Sequence, residues 1–183
     1  MLITRLAKIL ISLSLALFCL LVAYDNITDP HSNYEFVQHV MSMDTTLPDN
    51  KLLYRSVTNP VFWQIVYALI ITTQFVCGVL FLAGAMRMWR MRNASAAEFN
   101  QAKAYAIAGA LLAFLLWFFV FMVIAGEWFA MWQSQTWNGQ EPAFRFYMAV
   151  LGVMIFVALP DTDLDGAPPR PAAKRRGSEK KPA

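Results

Sequence analysis

"VFWQIVYALIITTQFVCGVLFLAGAM", residues 61–86, contains no Asp, Glu, Lys or Arg. A helix crossing the roughly 30 Å hydrocarbon core of a bilayer needs about 17–25 such residues, and the stretch supplies them without interruption. Strands of this composition would expose unpaired edges to lipid, so the segment reads as a spanning helix. The same reading extends outward in both directions. Residues 104–126 are also uncharged, and Ile9 to Tyr24 follows Arg5 and Lys8 as a third apolar block. The last block, Phe146 to Pro160, is short and borrows Pro142, Ala143, Phe144 and Arg145 at its start.

Composition agrees with four spans. The 183 residues are 58% hydrophobic and only 15% charged, with mean hydropathy +0.44. Soluble domains carry about 25% charged residues and hide less apolar bulk. The expected fold is all-α and polytopic. Residues 1–160 form a four-helix transmembrane domain with spans near 7–24, 61–86, 104–126 and 143–160 and an exported loop at 25–59. Residues 161–183, rich in Pro, Lys and Arg, read as a disordered basic cytoplasmic tail, too poor in apolar bulk to order itself. "DTDLDG" at its start copies the opening of a calcium loop, but Ala172 stands where a glutamate is needed and the prolines bar the exiting helix.

Orientation follows from the basic residues. Twelve of the fifteen lysines and arginines fall on the side of the termini and the 87–103 connection, and only Lys51, Arg55 and Arg145 on the other. The positive-inside rule then puts both termini in the cytoplasm. The first block also fits a secretory signal peptide, but Leu21 before Val22 and Ala23 makes a poor cleavage site, and a retained span is expected.

In the exported loop, Asp29 and Pro30 mark the start of a short helix, which is expected to lie on the outer leaflet. "TNP" before Val61 repeats the cap-then-proline device. Asn26, in "NIT", is formally a glycosylation acceptor.

Five polar side chains are candidate structural or functional groups. Thr72, Thr73 and Gln74 sit at the middle of the second span, where an amide needs a partner from a neighbouring helix; the alternative role is to line a solute path. Glu127 lies 24 residues beyond Lys103, about 36 Å along an α-helix, and so belongs near the outer headgroups with Trp128 and Trp132 as an aromatic belt. Arg145 emerges at the same depth, and a Glu127–Arg145 ion pair between the third and fourth spans is expected. A buried, proton-carrying Glu127 is the competing reading. Small residues, Gly78, Ala83 and Gly84 in the second span and Ala106, Ala110 and Ala113 in the third, allow close backbone approach. Cys19 and Cys77 read as small core residues.

No catalytic, cofactor-binding or metal-ligating constellation is expected, and the protein reads as non-enzymatic with no cofactor. His31 and His39, eight apart, are too distant on a helix to share an ion. The expected partners are the lipid bilayer and another membrane protein or a second copy, with no nucleic acid. The protein therefore reads as an accessory or structural subunit, or alternatively as part of a small-solute transporter or channel using the mid-membrane polar residues.

The segments "DNITDPHSNYEFVQHVMSMDTT", 25–46, and "GEWFAMWQSQTWNGQEPAFRF", 126–146, resemble a bacterial family of predicted small integral membrane proteins of unknown function. The resemblance implies a four-span protein of the bacterial cytoplasmic (inner) membrane and supplies no mechanism.

Overall fold

A computed structural model describes residues 2–164, and among them there is no strand. The four apolar blocks are the cores of four long helical segments, each long and apolar enough to cross a bilayer. Helix α1 is Leu2–Thr28, α2 is Pro30–Ser42, α3 is Pro60–Arg90 and α4 is the short Ala96–Ala102. Helix α5, Ala104–Phe114, continues into a π-helical stretch, Leu115–Trp128, and α6 is Gln140–Ala158. The reading of residues 165–183 as a disordered tail lies outside the described residues.

The helix starts obey local chemistry unevenly. At α3 the Asn59 side chain accepts from the Val61 N–H at 2.9 Å with Pro60 in the first turn, as the sequence predicts. Pro30 likewise opens α2, but Asp29 makes no side-chain cap; its N–H donates to Asp25 O at 2.8 Å and simply prolongs α1. Ser95 and Glu98 form a reciprocal capping box on α4.

Helix α1 buries Arg5, Ile9, Ser12, Ala16, Cys19, Ala23 and Asn26. Those positions alternate steps of four and three, the spacing of a left-handed antiparallel seam. Helix α3 answers with Gln74, Cys77, Phe81, Gly84 and Met88. Small side chains let the backbones close: a Cβ on Gly84 would fall 2.5 Å from Ala106 N, and one on Gly78 would meet Leu20 and Ala16 O. Ala106, Ala110 and Ala113 are buried as well, so the small-residue stripe is a packing surface. Helix α5 lies against α3 and α6 against α5, and Phe18 joins α1 to Trp117 and Phe146, which closes the bundle.

The expectation that α2 rests on a leaflet needs correction. Val37, Val40 and Met41 are buried against Trp63, Phe129, Ala130 and Met131, so α2 caps the loop end of the bundle. The following loop is tied down by Val57 N–H to Met41 O at 2.8 Å, by Trp63 Nε1 to Val57 O at 2.7 Å and by Thr45 to Ser134 at 2.8 Å. Helix α3 outruns α1 at this end, and its first turns would otherwise lack a neighbour.

Candidate functional site

The three mid-span polar residues of α3 part company. Thr72 donates to Ala68 O at 2.8 Å and Thr73 to Leu69 O at 2.7 Å, so both hydroxyls are satisfied within their own helix. Gln74 alone is buried, and its Oε1 accepts from Asn26 Nδ2 at 2.9 Å. The partner demanded by a mid-span amide is thus supplied by α1. Tyr67, two turns earlier on α3, donates its hydroxyl to Asn26 O at 2.8 Å. Asn26 is only 5% exposed, which removes it as a glycosylation acceptor, and its Oδ1 is buried with no partner among the described residues.

This amide pair lines a half-open cavity of about 370 Å³ bordered by α1, α2, α3, the π-helical stretch and α6. Trp117, Phe121, Phe146 and Phe36 contribute aromatic rings to its wall, and Asp25 stands exposed at its rim. A volume of this size is at the lower end of small-molecule pockets. Gln74 was legible as a candidate; Asn26 was not, because the loop appeared to begin at Asp25 whereas α1 runs three residues further.

Glu127 and Arg145 do not pair. Arg145 binds Glu141 one turn earlier on its own helix, both largely exposed. Glu127 is also exposed and shares a shallow surface hollow with Arg55 and Trp128. The Arg55 guanidinium lies 4.7 Å above the Trp128 ring. Two features undo the expected pair. The i→i+5 winding of residues 115–128 is wider and rises less per residue than an α-helix, so the 36 Å ruler overestimates. A partner one turn away on the same helix also costs less ordering than one on another helix.

The strongest electrostatic site lies at the opposite end of the bundle. Arg5, Lys8 and Lys103 are each at most 2% exposed. Lys8 Nζ donates to Asp161 Oδ2 at 2.6 Å and to Leu159 O at 2.6 Å. Lys103 pairs with the same Asp161 oxygen and donates to Leu159 O at 2.8 Å and Asn100 Oδ1 at 2.6 Å. Arg5 donates to Arg92 O, Ala94 O and Thr162 O at 2.7–3.0 Å and sits 4.6 Å over the Phe99 ring. Asn100 holds the Asp161 backbone in both directions. Asp163 caps α4 by accepting from Ala96 N at 2.6 Å.

Asp161, grouped by composition with the solvated tail, is therefore folded into the bundle. Cations gather there because the last carbonyls of α6 have no partner in their own helix and carry the negative end of its dipole. Burial acts to raise the Asp161 pKa, but the ammonium groups of Lys103 and Lys8 outweigh it and hold the carboxyl below its ordinary range. With every ammonium engaged by oxygen atoms, the arrangement fastens α1, α5 and the end of α6 together.

A family profile described as "Predicted small integral membrane protein (DUF2165)" matches residues 4–160, all four spans and the α2 cap included. No curated protein and no solved structure matches the chain.

Proposed function

The chain belongs to this family of predicted small integral membrane proteins, and from that premise we propose that it is an accessory or structural subunit of the bacterial cytoplasmic membrane, non-enzymatic, with both termini cytoplasmic. The observation that carries this reading is where its inward polar groups go. Arg5, Lys8, Lys103 and Asp161 bind helix ends to one another, and Asn26 with Gln74 links α1 to α3. A gradient-coupled carrier needs ionisable groups free to change partners near mid-depth. Here the buried charge is committed at one end, and the outer faces of the helices, with Leu69, Phe75, Val79 and Leu111 exposed, are free for lipid or protein.

The experiment is purification of the full chain from its native membrane in a mild detergent with mass identification of companions. Stoichiometric unrelated membrane proteins support the accessory role; a partner-free homo-oligomer overturns it. Orientation is tested by placing single cysteines at Lys51 and Arg90 in intact cells. An impermeant maleimide labels the first and spares the second until lysis, while Cys19 and Cys77 are too buried to interfere.

A second reading, a small-solute carrier, draws on one observation, the cavity beside Gln74. Against it, the seam beyond the cavity is filled by Cys77, Phe81, Ala106 and Met88, all fully buried or nearly so. Solute uptake by reconstituted vesicles above that of empty ones would favour it.

A further inference from the structure

We propose that the cavity between α1, α2, α3 and α6 is a binding site for a small organic ammonium ion carrying an aromatic or short alkyl group. The proposal does not depend on the accessory role.

Three properties of the wall select this chemistry. The first is a polar corner. Asn26, Gln74 and Asn33 line the cavity together with Asp25. Asn26 Nδ2 donates one N–H to Gln74 Oε1, and these neutral amides keep that part of the wall polar, a setting that suits a charged nitrogen better than hydrocarbon does.

The second is the sign of the charge. Asp25 lies at the rim, one residue from Asn26, and no Lys, Arg or His lines the cavity among the described residues. A carboxylate or phosphate ligand would meet an uncompensated negative charge; an ammonium meets an opposite one. The third is the aromatic wall. Trp117, Phe121 and Phe146 line the cavity, and aromatic rings attract cations at their faces while shielding an attached hydrocarbon from water. The ligand thus sits with its nitrogen toward Asp25 and Asn26 and its apolar group toward Trp117. A volume of about 370 Å³ accommodates a molecule the size of phenethylammonium.

The test is equilibrium titration of the purified full chain in uncharged dodecyl maltoside with three probes of one shape: phenethylammonium, 2-phenylethanol and 3-phenylpropanoate. Saturable binding is expected to be tightest for the ammonium, weaker for the alcohol and absent for the carboxylate. Asp25→Asn, at an exposed position outside the helix seam, is expected to weaken the ammonium about fivefold and leave the alcohol within about twofold, as a partly exposed ion pair should. Asn26→Leu is expected to weaken both probes; should that variant fail to fold, Asp25→Asn still decides. Equal affinity for ammonium and alcohol, preference for the carboxylate, an unchanged ammonium affinity in Asp25→Asn, or no saturation at millimolar probe would each overturn the proposal.

Discussion

Asp161 faces two buried ammonium groups, and no other carboxylate is paired with either among the described residues. Asp161→Asn keeps the side-chain shape and the backbone bonds to Asn100 but leaves Lys8 and Lys103 opposed by neutral oxygen alone. The expected loss is about 3–5 kcal/mol, the usual cost of breaking a buried pair from one side, read as a lowered unfolding midpoint in detergent. Replacing all three members by apolar residues, Lys8→Met, Lys103→Met and Asp161→Leu, should restore most of that loss, because no stranded charge remains. Gln74 is a milder case. Gln74→Leu strands the Asn26 amide and should cost about 1–3 kcal/mol. A double-mutant cycle with Asn26→Leu should give a coupling of about 0.6 kcal/mol and no more than about 1.7, the range for such bonds between membrane helices. A coupling near zero would mean that the two amides do not share a hydrogen bond in the membrane.

At the scale of helices, the seam depends on backbone proximity that few side chains permit. At Gly84 an added Cβ meets the Ala106 main chain, which cannot rotate away, so Gly84→Val should separate α3 from α5 and cost more than about 3 kcal/mol. Gly152 on α6 is the internal control. Nothing lies within 4 Å of a Cβ built there, and Gly152→Ala should stabilise its helix by up to about 1 kcal/mol through propensity alone. Thermal unfolding of the two variants side by side checks both signs; equal effects would refute the assigned packing. The helices themselves were legible, because each rests on an uncharged run of spanning length and on prolines at Pro30 and Pro60 that open α2 and α3. The π-helical winding of Leu115–Trp128 was not. Hydrogen-bond phase depends on how Trp117 and Phe121 pack against neighbours, and composition does not record it. The Ser95–Glu98 cap was present in the sequence as S-x-x-E and could have been found.

The molecule as a whole is closed differently at its two ends: an apolar cap, α2, over one and a knot of charges in the other. Pro30 announced the first as a helix though not as a cap, whereas the second joins residues far apart in sequence, Lys8 with Asp161 and Arg5 with Thr162. Arg5 and Lys8 looked like markers of a span's end, since Lys and Arg there serve as topology signals whether buried or not, and Asp161 and Thr162 looked like the start of the tail. The candidate site was legible only at Gln74, because its partner and its aromatic wall come from other helices. The charged end gives the whole protein a pH dependence with a definite sign. Asp161 is held below its ordinary carboxyl pKa of 3.8, so the stability it contributes is fully present above that value and is lost as pH falls through the lower, folded value. Protonation would leave Lys8 and Lys103 buried without the carboxylate that both are paired with, and the knot should open before the α2 cap does. Unfolding midpoints measured from pH 8 down to about pH 3 should show an acid limb beginning below about pH 4. Asp161→Asn should be less stable at neutral pH and should lack its share of that limb, so the gap between the two curves begins to narrow below about pH 4. Parallel curves would mean that Asp161 titrates alike in the folded and unfolded chain, and the charged end would then be a solvated topology signal rather than a structural fastening.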